Sequence, residues 1–259
     1  MAITLGGGGS ASYPTIFLHN SQTWVPPQDG NIMIHVIGAG GSGSGSTSSV
    51  QIESGAAGGY CRKNSLAVTT SGSFTVVVGA GGASVNATTT AGTAGGTTSV
   101  AGTGLGSTLT ATGGAGGALA ANTYTTGGTA SNGDVNYAGG RGGSLKGGGA
   151  VGLTGAGNDG VATPGSITYG GDCDVLGNFY SSSLGQLSGG TGGSIYYSSS
   201  GQHKPAEELA GGGSHYNASI PLMNNASIGG GGGFCYSTSW NLVRSGRGGE
   251  GCVVIQYIP

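Results

Sequence analysis

Short runs of glycine recur along almost the whole chain, and they constrain its fold more than any other feature. Of the 259 residues, 63 are glycine. Only a residue without Cβ lets neighbouring backbones touch, so runs this dense indicate close backbone packing. They follow no strict Gly-X-Y period, which excludes collagen. The runs occupy residues 38–41, 55–59, 79–82, 92–96, 113–117, 139–143, 147–149, 189–193, 211–213 and 229–233.

The conformational cost of these glycines predicts how they pack. Fixing 63 glycines costs on the order of 30–60 kcal/mol more than fixing as many alanines. Large apolar side chains are too few to offset that cost, whereas dense backbone hydrogen bonding, at roughly 0.5–1.5 kcal/mol net per bond, can. We therefore predict left-handed polyglycine II helices with three residues per turn, bonded side by side. Glycine loops in an ordinary β-sandwich are the alternative.

The segments between the runs predict an all-β or irregular fold, a glycine-rich β-sandwich with essentially no α-helix. Valine, isoleucine, threonine and aromatic residues dominate them, with glycine at their ends. Thr23 to Pro27 suggests a turn before the first strand. The strongest strand candidates are Ile32–Ile37, Ser73–Val78 and Cys252–Ile258, and the weaker ones are Ser65–Thr70, Thr97–Ala101 and Ser107–Thr112.

The amino-acid composition argues against several classes of binding partner. Only 6% of the residues are charged and the net charge is −2, with no basic patch, so we expect no nucleic-acid binding. No apolar run approaches 18 residues, so we expect no membrane insertion. The first residues lack a basic region and an apolar signal core, which favours synthesis in the cytoplasm without a signal peptide.

Catalytic and metal motifs are weak, and we predict neither an enzyme nor a cofactor or metal. Residues 38–43 match G-x-G-x-x-G, but the Ser, Gly and Thr that follow do not favour the helix a dinucleotide site needs. The four histidines lack H-x-x-x-H spacing, and Leu176 interrupts a possible calcium loop at Asp172–Asp174. Four cysteines allow three pairings. We favour free thiols, with Cys252 a small core residue.

The chain divides into two parts by composition. Residues 1–23 are predicted to be an attachment segment that docks on a partner chain through Ile3, Leu5, Ile16, Phe17 and Leu18. An edge strand of the main domain is the alternative for this segment. Residues 24–259 form the glycine-rich domain, whose later runs alternate with loops rich in Tyr, Ser and Asn. Such loops on a rigid scaffold are typical of binding surfaces.

Aromatic side chains in those loops are the candidate contacts, because they offer large contact area at little cost in entropy. The candidate receptor-binding residues are Phe179, Tyr180, Tyr196, Tyr197, Tyr216 and Trp240. Alternatively, several of them cap the glycine layers.

The order of these elements along the chain resembles that of a known protein family. The chain resembles the glycine-rich domain of bacteriophage tail fibre and tail tip proteins in four features. They are Trp24 to Pro26, the strand Ile32–Ile37 with its GAGG run, a second strand and GAGG run over residues 73–82, and the closing residues 246–257. The resemblance covers roughly residues 23–259. The glycine runs and Tyr-rich intervals are also similar to adhesins of T-even-like phages, which hold polyglycine helices with recognition loops between them. The start of the chain departs from those adhesins, since it contains no helical attachment domain.

The resemblance implies a virion protein at a fibre tip that recognises a host surface molecule. Its expected partners are other tail fibre proteins or copies of itself, and a host surface glycan or outer-membrane protein. A self-assembling filament or appendage subunit is the alternative. A polyglycine antifreeze-type protein would need a flat, regular threonine face, for which the sequence offers only Thr88–Thr90 and Thr97–Thr98.

Overall fold

The computed structural model describes most of the first 160 residues and the closing strand. The described residues are 14–47, 53–87, 89–119, 124–143, 147–151, 155–160, 215–216, 228–232, 235–236 and 243–259. They contain strands and extended segments but no helix. The prediction of an all-β chain is therefore confirmed.

Two antiparallel five-stranded sheets form the half of the molecule that holds the first and the last described residues. The strands are β1 (Thr15–Leu18), β2 (Gln22–Trp24), β3 (Gly30–Ile37), β4 (Gly45–Ser46), β5 (Tyr60–Val68), β6 (Phe74–Val77), β7 (Asn86–Ala87), β8 (Thr89–Thr90), β9 (Thr98–Gly102), β10 (Leu109–Ala111), β11 (Ala130–Ser131), β12 (Val135–Tyr137), β13 (His215–Tyr216), β14 (Cys235–Tyr236), β15 (Val243–Arg244) and β16 (Cys252–Ile258). The first sheet has the order β1-β16-β3-β5-β12 and the second has the order β11-β10-β9-β6-β2.

The two sheets face each other across one apolar core, as in a β-sandwich. The first sheet contributes Ile32, Ile34 and Ile255, while the second contributes Phe74 and Val100, and all five are buried. Alternation explains the pattern, because successive strand residues point to opposite faces of a sheet. In β6, for example, Phe74 and Val76 are buried and their neighbours Thr75 and Val77 are exposed.

The predicted strands agree with the observed ones in position but not in every boundary. β5 begins at Tyr60, five residues before the predicted Ser65. The turn predicted at Thr23 is wrong, because Gln22–Trp24 is a strand that pairs with β6. The reason is burial: the Trp24 ring packs on Phe74, with ring centroids 5.4 Å apart.

Beyond the sheets, the glycine runs pair through a repeat of three residues. Successive N–H groups of segment 38–44 donate in rotation to three other segments, at 2.8 to 3.2 Å. Residues 38, 41 and 44 donate to segment 53–59, residues 39 and 42 to segment 92–96, and residues 40 and 43 to segment 246–251. A backbone that returns to the same partner every third residue has three residues per turn.

The carbonyl groups complete a lattice around this segment. Those of residues 39 to 42 accept hydrogen bonds from segments 79–82, 112–118 and 229–232, so segment 38–44 has six bonded neighbours. Segment 53–59 repeats the arrangement. It donates to segments 112–118, 138–143 and 229–232, and it accepts from segments 38–44, 125–129 and 147–151. Among the glycines of the described runs, only Gly229 has a positive φ. The other glycines of the described runs lack a positive φ, as a left-handed helix with three residues per turn requires.

These bonds arrange the segments in three layers that continue the two sheets. The upper layer comprises segments 92–96, 112–118 and 125–129, and extends β9, β10 and β11. The middle layer comprises segments 79–82, 38–44, 53–59 and 138–143, and the lower layer comprises segments 246–251, 229–232, 147–151 and 156–160. The predicted polyglycine II packing is thus observed for every described run. The runs at 189–193 and 211–213 lie outside the described residues.

Glycine is required in this lattice for close approach rather than for unusual torsion angles. A Cβ on Gly40 would overlap the carbonyl oxygen of Gly230, and one on Gly41 would overlap that of Ala115. A Cβ on Gly231 would likewise overlap the carbonyl oxygen of Gly55. Backbone atoms cannot rotate away as a side chain can, so each overlap would force two segments apart.

The N-terminal segment contributes an edge strand, which was the alternative for residues 1–23. Ile16, Phe17 and Leu18 lie in β1, which pairs with β16 in the register Ile16 to Ile255. Leu18 is buried in the core, and Ile16 packs against it. Ile3 and Leu5 lie outside the described residues. Docking of this segment on a partner chain stays a prediction.

Replacing Gly231 by valine is expected to destabilise the fold by about 3 kcal/mol or more, because its Cβ would overlap backbone atoms of Gly55. Urea denaturation of the purified chain measures this change. The control is Gly155→Ala, since a Cβ there meets no atom within 4 Å. Its free energy of unfolding should stay within about 1 kcal/mol of the parent value. Equal effects of the two substitutions would contradict close backbone packing at Gly231.

Two N-terminal truncations are expected to differ in stability. Deleting residues 1–13 removes no described strand and should leave the unfolding midpoint unchanged. Deleting residues 1–18 removes β1 with the buried Leu18, and should lower the free energy of unfolding by about 2–5 kcal/mol. Differential scanning calorimetry compares the two. Identical midpoints would mean that β1 is not part of the folded domain.

Candidate functional site

The glycine lattice gives the molecule two distinct ends. Pro14 and Tyr257 are hydrogen-bonded neighbours at the end formed by the two sheets, which we call the terminus end. From there β3 runs into segment 38–44, and segment 53–59 returns into β5. The turn between these two segments is therefore at the opposite end, which we call the loop end.

Five connections between described lattice segments start and finish at the loop end. The chain reaches this end at residues 44, 82, 118, 143 and 232, and re-enters the lattice at residues 53, 92, 125, 147 and 246. Segment 156–160 also runs towards the loop end, because Gly157 and Gly160 donate to the carbonyl groups of Ala138 and Arg141. The long Tyr-rich part of the sequence thus begins at this end.

Serine and threonine hydroxyl groups hold the loop end of the lattice together. The Ser44 hydroxyl donates to the Glu53 carbonyl oxygen at 2.8 Å and accepts from the Glu53 N–H at 3.0 Å. The Ser42 hydroxyl accepts from the Thr93 N–H at 2.8 Å. The Thr125 hydroxyl donates to the Ser54 carbonyl oxygen at 3.0 Å. Side chains here make bonds that backbone groups make elsewhere in the lattice, so the scaffold stays rigid up to its loops.

Short strand pairs extend beyond the lattice at this end. β13, β14, β4 and β8 form a small sheet in that order, and β15 pairs with β7. Tyr216, one of the six candidate contact residues, lies in β13 and is aligned in parallel register with Tyr236 of β14. The structure therefore places the Tyr216 backbone at the loop end.

The other candidate contact residues are not in the described part of the chain. Phe179, Tyr180, Tyr196 and Tyr197 follow Gly160 in sequence. Trp240 lies between β14 and β15, both of which are at the loop end. Their roles stay predictions.

A stacked pair at the loop end was missed by reasoning from the sequence. The Arg141 guanidinium carbon lies 4.6 Å from the centroid of the Tyr124 ring. Asp159 accepts hydrogen bonds from Nε of Arg141 at 2.8 Å and from Nη2 at 2.6 Å. The Tyr124 side chain is 42% exposed. The sequence signal was weak, because these residues come from three different segments.

The Asp159 carboxyl group is ionised, and as a carboxylate it accepts the hydrogen bonds from Arg141. Burial favours its neutral acid, but the hydrogen bonds and the positive charge of Arg141 outweigh burial and lower the pKa of Asp159. The carboxylate fixes the guanidinium plane, and the exposed Tyr124 ring beside it offers an aromatic and cationic surface. Such a surface can bind a sugar ring or an acidic group of a partner.

Two further reactive side chains, those of His35 and Cys61, are buried on strands of the first sheet rather than at the loop end. His35 in β3 has its Nδ1 2.8 Å from the Tyr60 hydroxyl oxygen, and burial lowers its pKa to about 3. Burial raises the pKa of the Cys61 thiol to about 11, and Cys61 is a free thiol. Cys252 is fully buried, as predicted. Cys173 lies outside the described residues.

The described residues contain no cluster of three or more His, Cys, Asp or Glu that could hold a metal ion. Nor do they include a helix with the length and apolar character needed to cross a membrane. The G-x-G-x-x-G match at residues 38–43 is a lattice segment that leads into β4 instead of a helix. Asp172 and Asp174, the possible calcium ligands, lie outside the described part.

Comparison with known proteins identifies the family. No curated protein matches the chain. A family model described as a glycine-rich domain matches residues 15–258, from the start of β1 to the end of β16. The match thus spans both sheets and every segment of the lattice, and the chain belongs to this glycine-rich domain family.

Proposed function

We propose that this protein is a receptor-binding adhesin at the tip of a phage tail fibre, where it recognises a host cell-surface molecule. The observation that carries the proposal is the polarity of the molecule. A rigid lattice holds its connections at the loop end, and the N-terminal segment leaves from the terminus end. An adhesin needs this separation, because one end must be attached to the particle while the other meets the cell.

Two features of the loop end support recognition there. The exposed Tyr124 ring with its fixed Arg141 partner is an aromatic and cationic surface. Tyr216 lies in the small sheet at the same end, and the connection that carries Trp240 is flanked by strands there. These chemistries suit a host surface glycan or an outer-membrane protein. Neither the recognition nor the fold requires a cofactor, and we propose no catalytic role.

The proposal also includes location and partners. The protein would be made in the host cytoplasm and built into the virion through its N-terminal segment, by contact with another tail fibre protein. It would bind neither nucleic acid nor the membrane interior. A net charge of −2 and the low content of charged residues are consistent with a partner recognised by stacking and hydrogen bonding.

Adsorption of particles that carry variant protein tests the proposal. Tyr124→Ala, and separately the double substitution Tyr196→Ala with Tyr197→Ala, should each lower the adsorption rate constant on host cells by about tenfold, since buried aromatic contacts dominate interfaces. The unfolding midpoint of each purified variant should stay near the parent value.

The control is Gln28→Ala, an exposed substitution at the terminus end that should leave adsorption unchanged. Immunogold labelling of the same particles should place the protein at the fibre tip. Labelling along the fibre shaft, or normal adsorption by both tyrosine variants, would rule out a tip adhesin that binds through these loops.

A further inference from the structure

One broad side of the molecule is a flat face of small side chains. It consists of the outward side chains of the second sheet and of the upper lattice layer, and we call it the flat face. Its residues line up in straight rows across neighbouring strands and segments. The rows are Thr23, Thr75 and Ala101; Val77, Ser99, Thr110 and Ser131; Thr112 and Thr129; and Ala115 and Thr126.

Two of the exposed large apolar side chains of the described structure, Val25 and Val77, lie on the flat face. Val25, Val77, Leu119 and Tyr124 are the exposed large hydrophobic residues among the described positions. Val77 lies in a central row, and alternation from the buried Trp24 places Val25 on the same side as Thr23. Leu119 and Tyr124 lie just beyond the upper-layer segments at the loop end, and the Tyr124 ring faces Arg141 of the middle layer rather than the flat face. Val25 and Val77 give this side exposed apolar area that a partner could cover.

Charge is absent from this side. Residues 65–133, which supply nearly all of the flat face, contain no Asp, Glu, Lys or Arg. Charged partners such as nucleic acids or acidic proteins therefore find no complementary group here. Two copies of the same face, by contrast, can meet without like-charge repulsion.

Glycine backbone groups add hydrogen-bonding capacity at the upper layer. The N–H and C=O groups of Gly113 and Gly116 have no hydrogen-bond partner within the part of the chain that the structure describes, and both residues are half-buried. They repeat at the three-residue spacing of the lattice. A second backbone with the same spacing can bond to both, as the segments within this molecule bond to each other.

The flat face is large enough for a specific contact. Strand spacing and residue rise give it roughly 35–40 Å by roughly 20–25 Å, or roughly 800 Å². That is about the area that each partner buries in a standard protein interface. The flat face has no exposed charge, and its rows are regularly spaced. The rows of one copy can therefore align with the rows of a second copy.

We propose that the flat face is an interface between two copies of this chain, which pack face to face about a two-fold axis. Because the same surface is used on both copies, the contact closes on itself and gives a dimer rather than a filament. Both loop ends stay free in such a pair. The proposal does not depend on host recognition, and each can fail without the other.

Sedimentation equilibrium of the purified full chain over a range of concentrations tests the interface. The parent protein should associate to a dimer, with a dissociation constant on the order of micromolar, because the face has few aromatic anchors. Thr75→Lys and Thr126→Lys, at exposed positions towards either end of the face, should each weaken dimerisation by at least about tenfold. Gln28→Lys adds the same charge at an exposed position off the face and should leave the dimer unchanged.

A second measurement on the unaltered protein removes any dependence on how the variants fold. Amide hydrogen exchange of Gly113 and Gly116 should slow as the protein concentration rises through the dissociation constant. A monomer at all concentrations would overturn the proposal. A dimer that persists in both lysine variants would also overturn it. The same holds if the protein dimerises but the exchange rates of the Gly113 and Gly116 amides do not change with protein concentration.

Discussion

Direct contact between backbones is the constraint on which the rest of this structure depends. Segments 38–44 and 53–59 each bond to six neighbours, and every third residue returns to the same partner. Such a lattice exists only if the contacting positions have no Cβ, since a methyl group on Gly40 or Gly41 would overlap a neighbouring carbonyl group. Hydrogen bonds between backbones therefore stabilise this half of the molecule, whereas packing of large side chains stabilises an ordinary core.

The lattice explains the shape and the polarity of the molecule. A polyglycine II segment continues a β-strand without a change of direction, so β3 and β5 run from the sandwich straight into the middle layer. The sandwich keeps its own apolar core at the terminus end. The connections at the other end start and finish on lattice segments that are bonded to each other through their backbones.

The sequence predicted the scaffold well because glycine has few other reasons to occur in such runs. The cost of ordering 63 glycines led to polyglycine II packing, and segments rich in β-branched and aromatic residues between glycines located β3, β6 and β16. β1 was harder to predict, since Thr15–Leu18 is short and its pairing with β16 joins the two ends of the chain. Thr23 and Trp24 were misassigned because nearby prolines suggest a turn, while burial of the indole ring decides the strand.

Features assembled from distant segments could not be predicted in the same way. The Tyr124, Arg141 and Asp159 cluster joins three segments that meet only in the lattice. The rows of the flat face likewise combine residues such as Thr75, Ala101 and Thr110 from separate strands, so no regular array is visible in the sequence. The aromatic residues predicted to contact a receptor lie, apart from Tyr216, outside the described residues, and their selection still depends on residue type alone.

Residue-resolved hydrogen exchange of the backbone amides is the most direct test of the lattice. If segments 38–44 and 53–59 are fully bonded, their amides should exchange as slowly as those of β3 and β16, because only global unfolding would expose them. Rapid exchange of these glycine amides, with protection confined to the strands, would show that the runs are solvated loops and would contradict the account.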